Sequence, residues 1–181
     1  MPDWKILKSE VVIDTPHLRL RRDTIELPQG SIVDGYHVRE TRGFVMIFAM
    51  TPEENVVLVR QYKHGIGEVV LELPAGMIDH GESATEAALR ELGEETGYAP
   101  RGELEHIQTF IVDPTNSDGR FALFLARDVT LTTQIHPDPT EDIAVELVPL
   151  VRLIEVVRSG EINVCNHVGA IYVVLDRLGR L

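Results

Sequence analysis

Leu73-Pro74-Ala75-Gly76-Met77-Ile78-Asp79-His80-Gly81-Glu82-Ser83-Ala84-Thr85-Glu86-Ala87-Ala88-Leu89-Arg90-Glu91-Leu92-Gly93-Glu94-Glu95-Thr96-Gly97-Tyr98 is the stretch that decides the fold. Val69-Val70-Leu71-Glu72-Leu73 reads as a short strand stopped by Pro74, which has no N–H for a ladder. Gly76 to Glu82 reads as a loop, with Gly76 and Gly81 suited to unusual backbone angles or close approach to a ligand. Ser83 with Glu86 three residues on is a capping box, and Gly97 sits where a helix-ending glycine belongs. The spacing predicts a helix from Ala84 to about Thr96. A strand, a glycine loop and a carboxylate-bearing helix make a pocket of converging carbonyls and acids. It is not a Walker loop, because no Gly-Lys-Ser/Thr follows.

On that helix Glu91, Glu94 and Glu95 share a sector about 100° wide, with Ala84, Ala87 and Ala88 in or beside it. The sector adjoins the stripe of Leu92 and Leu89. Like charges at this spacing cost roughly 0.2–0.5 kcal/mol each even in water, and more beside a buried stripe. Protons can neutralise the cluster, or a cation can. The small alanines let something approach closely, and a hard divalent cation with oxygen ligands suits the geometry. The bland alternative is a solvated acidic face on which Arg90 pairs with Glu94 or Glu86.

Working outward, Phe44–Met50 and Val56–Val59 are continuous apolar runs, read as strands buried on both faces. Further strands are expected at Ile107–Val112, Phe121–Ala126 and Ile143–Val148, and helices at about 150–158 and 166–178. The first forty residues alternate like strands at Val11–Ile13, Leu18–Arg22 and Tyr36–Arg39, with a hairpin turn at Pro28-Gln29-Gly30-Ser31. Such a segment hardly buries a core alone, so it is expected to pack on the rest of the chain or on a second copy. His136–Asp142 is the most loop-like stretch.

Composition bounds the function. The 181 residues carry 17 Lys+Arg against 29 Asp+Glu, a formal net charge of −12. That balance argues against a nucleic-acid or anionic-membrane binder, but not against phosphate substrates if a metal supplies local positive charge. With 44% hydrophobic and 25% charged residues the chain is an ordinary globular one. The single cysteine, Cys165, excludes an intrachain disulfide and is expected to be a packed small residue. No apolar run reaches ~18 residues, and the start lacks a secretory pattern; a cytoplasmic protein is expected. No histidine pair has metal spacing, so His64, His80 and His106 are read as structural or surface residues.

Gly76, five residues, Glu82, seven residues, then Arg90-Glu91-Leu92-Gly93-Glu94-Glu95-Thr96-Gly97-Tyr98 match the Nudix box without a gap. The chain thus resembles the Nudix hydrolase family. Val59-Arg60-Gln61-Tyr62-Lys63, Glu72-Leu73-Pro74-Ala75-Gly76 and Pro114, sixteen residues after Tyr98, are similar to its ADP-ribose pyrophosphatase and nucleoside diphosphate sugar hydrolase branch.

The resemblance implies an α/β fold, an α/β/α sandwich around a mixed central sheet (residues 43–181), plus a small antiparallel β segment (residues 1–42) for dimerisation and substrate contacts. It implies a homodimer hydrolysing ADP-ribose or a related nucleoside diphosphate sugar with Mg²⁺ or Mn²⁺, two or three ions per site. It makes Glu91, Glu94, Glu95 and the backbone of Ala75 the metal ligands. Arg90 would orient the glutamates, and Glu82 would orient the helix or bind metal through water. The general base would be Glu141, or Glu141 would be a further metal ligand, since Pro139 stands where relatives often carry an acid.

Arg39 and Arg60 are candidate phosphate contacts, and Trp4 and Tyr36 candidate stacking partners for a base. Pro114, Ser117 and Asp118 lie in a loop that touches the sugar end in similar enzymes. Here it reads Asp113-Pro114-Thr115-Asn116-Ser117-Asp118-Gly119, without the usual glycine and glutamate. That departure keeps a GDP-mannose hydrolase open. The different-class alternative is a nucleotide-sugar sensor that binds without turnover.

Overall fold

The structure is a computed structural model that describes residues 3–136 and 142–181. The chain divides into two compact units, Met1–Gly43 with Ile111–Arg120, and Phe44–Phe110 with Phe121–Leu181.

The first unit is an antiparallel sheet of β1 (Lys5–Thr15), β2 (Leu18–Glu26) and β3 (Ile32–Glu40) in that order. Leu27 N–H donates to the Ser31 carbonyl at 2.8 Å, and Gly30 takes φ 85°, so the Pro28–Ser31 turn joins β2 to β3. β1 is far longer than Val11–Ile13 suggests and almost wholly exposed. Its register against β2 slips near Ile6 and again near Val11, the mark of bulges. Residues 111–120 join this unit through β3. Arg39 N–H donates to the Asn116 carbonyl at 2.8 Å, and Asp118 N–H to the Arg39 carbonyl at 3.3 Å.

The second unit runs β4 (Phe44–Met50), β5 (Asn55–Lys63), β6 (Glu68–Glu72), β7 (Ala75–Met77), α1 (Ala84–Thr96), β8 (Tyr98–Ala99), β9 (Glu105–Ile111), β10 (Arg120–Ala126), β11 (Thr130–Leu131), β12 (Ile143–Pro149), α2 (Leu150–Arg158) and α3 (Cys165–Arg177). Its main sheet has the order β12-β5-β4-β10-β9. β10 runs parallel to β4, whereas β5 is antiparallel to both β12 and β4, so the sheet is mixed. Val45, Ile47 and Ala49 lie in one apolar cluster with Ala87, Ala88 and Leu92 of α1. The alternate residues Met46 and Phe48, also fully buried, point to the opposite face. α3 packs on β4 with Ala170, Ile171 and Val174 buried. The continuous apolar run of β4 is what a strand covered by helices on both sides requires.

A fork in this sheet positions the site. β4 and β5 pair only at Ala49–Val57 and Met50–Val56. Beyond that, β6 pairs with β5 from Val59 to Lys63, and β7 pairs with β4 from Phe44 to Met46. The chain therefore enters the fork along β5, reverses at Leu73-Pro74, and leaves along β4. The expected loop over 76–82 begins later than the sequence suggests, because the edge of β4 vacated by β5 takes Ala75–Met77 as a strand. The β8–β11 ladder of two residue pairs also escapes sequence reading. Cys165 is not packed: it is exposed, and it opens α3.

Candidate active site

α1 begins and ends as its sequence dictates. Ser83 Oγ accepts from Glu86 N–H at 3.2 Å, and the Glu86 carboxylate accepts from Ser83 N–H at 2.8 Å. Gly97 closes the helix at φ 74°, its N–H donating to the Gly93 carbonyl at 2.9 Å. A Cβ there would lie 2.5 Å from the Thr133 carbonyl oxygen. Between these caps the helix faces the fork with Arg90, Glu91, Glu94 and Glu95.

Arg90 gathers the carboxylates. Its Nε and Nη2 donate to the two oxygens of Glu82, both at 2.9 Å, and its Nη1 donates to Glu91 at 2.8 Å and to Glu94 at 3.0 Å. Nη2 also reaches the Met77 carbonyl at 3.0 Å, tying the helix to β7. The Glu82 hydrogen bonds, first among several carboxylate contacts, push the guanidinium above its ordinary pKa. Reciprocally, Arg90 first and the Asp79 N–H second hold the Glu82 carboxyl below the usual range. Glu86 is engaged in the cap and not with Arg90. Glu95 is 1% exposed, and its Oε2 accepts from Ala75 N–H at 3.0 Å. Any Cβ on Gly76 would fall 2.0 Å from Glu91 Cδ, so only glycine lets this carboxylate lie against β7.

Among the described residues no three acidic, histidine or cysteine side chains are gathered as a ready-made metal cage. Glu91 and Glu94 are turned onto Arg90, and Glu95 onto the Ala75 amide. The donor set nevertheless fits a hard divalent cation. It consists of carboxylate oxygens, each carboxylate has acceptor capacity beyond one hydrogen bond, and Glu82, Glu91 and Glu94 share a single guanidinium. The glycine at 76 leaves the close approach that such a site needs.

Trp4, Tyr36, Arg39, Pro114, Ser117 and Asp118 all fall in the first unit. Trp4 and Tyr36 make an edge-to-face pair at 6.3 Å. Tyr36 Oη donates to the Thr115 carbonyl at 2.6 Å, and Asp118 Oδ1 accepts from Thr41 N–H at 2.8 Å. Asp113 Oδ1 accepts from the amides of Thr115 and Asn116, shaping the loop around Pro114. Ser117 Oγ accepts from Gly119 N–H at 3.0 Å. Arg60, in the second unit, donates to Glu146 at 2.8 Å and to Glu161 at 2.7 Å, so its charge is compensated by two acids. Glu141 and Pro139 lie outside the described residues. His136, five residues before Glu141, donates its N–H to the Glu94 carbonyl at 2.8 Å.

Sequence reading passed over one buried group beside this site. His167, 6% exposed, takes the Leu73 N–H on Nδ1 at 3.1 Å and sets Nε2 3.3 Å from Glu72. Lys63 pairs with the other Glu72 oxygen at 3.0 Å. The one available signal was an acid, Glu72, inside an apolar strand.

These features have known counterparts. Residues 40–163 match the NUDIX domain family, and residues 4–38 match the nucleoside diphosphate sugar hydrolase N-terminal domain. The chain is a Nudix hydrolase. An ADP-ribose pyrophosphatase of Bacillus subtilis (strain 168) is 30% identical over 159 residues, 87% of this chain and 85% of that protein. The methanol dehydrogenase activator of Bacillus methanolicus is 33% identical over 126 residues, 70% of this chain and 67% of that one. A crystal structure of an ADP compounds hydrolase superposes with a TM-score of 0.87 at 25% identity, over 100% of this chain and 98% of that one. This Nudix hydrolase is thus like the ADP-ribose pyrophosphatases and ADP compounds hydrolases, in a family that generally uses divalent metal.

Proposed function

We propose that this Nudix hydrolase cleaves the pyrophosphate of ADP-ribose, or of a closely related nucleoside diphosphate sugar, to a nucleoside monophosphate and a sugar phosphate. The observation that carries the reading is the carboxylate cluster of α1, gathered by Arg90 and seated against Gly76. Glu91, Glu94, Glu95 and the Ala75 carbonyl would hold Mg²⁺ or Mn²⁺, two or three ions in all. Bound there, the metal neutralises phosphate charge and acidifies a water. Arg90 keeps the carboxylates aimed, and Glu82, fixed by Arg90 and the Asp79 amide, anchors the loop before the helix. Glu141 is assigned the base that takes the attacking water's proton. The water oxygen bonds to phosphorus, the P–O–P bridge breaks, and the bridging oxygen leaves with the other phosphate. The His136–Glu94 hydrogen bond supports this assignment, because it holds His136, five residues before Glu141 in sequence, at α1.

Substrate contacts are assigned to Trp4 and Tyr36 for the base, Arg39 and Arg60 for phosphate, and Pro114, Ser117 and Asp118 for the sugar end. The 30% identical ADP-ribose pyrophosphatase favours ADP-ribose within the class. The proposal includes a homodimer, supported by the exposed apolar residues Ile6, Leu7, Val11, Val12 and Ile13 of β1. A cytoplasmic setting accords with the single cysteine and with no described helix being long and apolar enough to cross a membrane. The test is phosphate release, through a coupled phosphatase, from ADP-ribose, ADP-glucose and GDP-mannose with Mg²⁺ and with chelator. ADP-ribose is expected to turn over fastest, and only with metal. Fastest turnover of GDP-mannose would overturn the substrate assignment, and no turnover of any would favour the binding-only sensor.

A further inference from the structure

Leu73-Pro74 is the apex of the reversal inside the β4–β5 fork, and its backbone is held from three directions. Leu73 N–H donates to His167 Nδ1 of α3 at 3.1 Å, Ile47 N–H of β4 donates to the Pro74 carbonyl at 2.9 Å, and Ala75 N–H donates to Glu95 of α1 at 3.0 Å. β6 ends at Glu72, opposite Val59, and Pro74 has no N–H. Leu73 therefore carries the last amide before the turn, in a residue that is fully buried. A buried amide needs an acceptor, and His167 supplies it. Because Nδ1 accepts, the ring proton sits on Nε2, which faces the Glu72 carboxylate 3.3 Å away. Glu72 in turn is held by Lys63. The imidazole is thus fixed at both nitrogens, and it fixes the peptide it touches.

We propose that His167 is a positioning residue of the active site: through the Leu73 amide it sets the Pro74–Ala75 backbone, and with it the Ala75 carbonyl and the carboxylate of Glu95. This rests on the reading that the Ala75 carbonyl and Glu95 bind the divalent cation. The proline stiffens the coupling, since its ring fixes one of the torsions between the Leu73 amide and Ala75 and restricts the backbone of Leu73 before it. Loss of the Leu73 hydrogen bond then loosens the cation site.

The test is Mn²⁺ binding to the metal-free 181-residue chain without substrate, followed by electron paramagnetic resonance of the free ion. Thermal melting of each variant reports the fold separately. In His167→Asn the side-chain oxygen stands where Nδ1 stood and still accepts from Leu73, so Mn²⁺ affinity should stay close to that of the wild type. His167→Leu keeps volume but no acceptor, and affinity should fall about tenfold or more. His167→Gln keeps a donor toward Glu72 but offers nothing to Leu73, and it should weaken binding like the leucine variant. It serves in its place if the leucine variant does not fold. Wild-type affinity in the leucine or glutamine variant, or equal weakening in the asparagine variant, overturns the role of His167. Glu95→Gln separates this failure from the underlying one. If Glu95→Gln loses Mn²⁺ while the His167 variants keep it, only the positioning role falls. If the wild type binds no Mn²⁺, or Glu95→Gln binds as the wild type does, the cation site itself falls and the proposal falls with it.

Discussion

At the scale of single residues, the site depends on a side chain that is missing. Gly76 leaves Glu91 a seat against β7 that any Cβ would occupy. The obstructing atoms belong to the end of a flexible glutamate, so Gly76→Ala should cost little stability, about 1 kcal/mol or less. The displaced carboxylate should nevertheless lower turnover about tenfold or more; steady-state kinetics beside a thermal melt would show this split. A melting point that collapses in step with activity would contradict it. His167 is the other revealing residue. Burial first, and Lys63 second, push its pKa down to about 3. The unfolded chain takes up the proton near the ordinary value of 6.5, whereas the folded one resists it. This contribution to stability is therefore present above about pH 6.5 and lost as pH falls toward 3, a drop on the order of a few kcal/mol. Urea unfolding between pH 7 and 4 should show wild-type stability falling more steeply than that of His167→Asn; identical slopes would contradict it. Arg90 and the glutamates were legible because helical periodicity puts them on one face. His167 was not, because no local rule ties a residue of α3 to the end of β6.

At the scale of elements, α1 is specified almost entirely by its own residues, and sequence reading found both its caps. Its C-terminus does a second job. Gly97 holds φ 74°, and its carbonyl accepts from Thr132 N–H at 2.9 Å. That contact draws residues 132–136 across the end of the helix toward Glu94. Gly97→Ala combines a left-handed backbone with a Cβ 2.5 Å from the Thr133 carbonyl oxygen, a backbone atom that cannot step aside. It should cost about 1–3 kcal/mol, read as a lower denaturation midpoint with an unchanged m-value; an unchanged midpoint would refute this. β7 and β1 resisted sequence reading for opposite reasons. β7 is three residues long behind a proline, and exists because β5 vacates an edge of β4. β1 runs well past its apolar centre, because its pairing with β2 rather than any buried face holds it extended.

At the scale of the whole molecule, the mixed sheet with helices on both faces was readable from the apolar runs of β4, β5 and β10 and from the match to the Nudix box. The first unit takes in residues 111–120 through hydrogen bonds to Arg39, a pairing across more than seventy residues that periodicity does not encode. The exposed apolar residues of β1 also belong to this scale. If they meet a second copy, sedimentation should give twice the 20.3 kDa chain mass. A monomer at micromolar concentration would overturn the proposed homodimer.

The proposed hydrolysis stands on the acids of α1 holding a divalent cation against a diphosphate. The most direct measurement is AMP released from ADP-ribose by the wild type and by Glu95→Gln, each with Mg²⁺ and with chelator, alongside circular dichroism. AMP and ribose 5-phosphate are expected from the wild type with Mg²⁺ alone, and a Glu95→Gln rate lower by orders of magnitude in a folded protein. Turnover that persists in chelator, or a folded Glu95→Gln enzyme working at the wild-type rate, would contradict it.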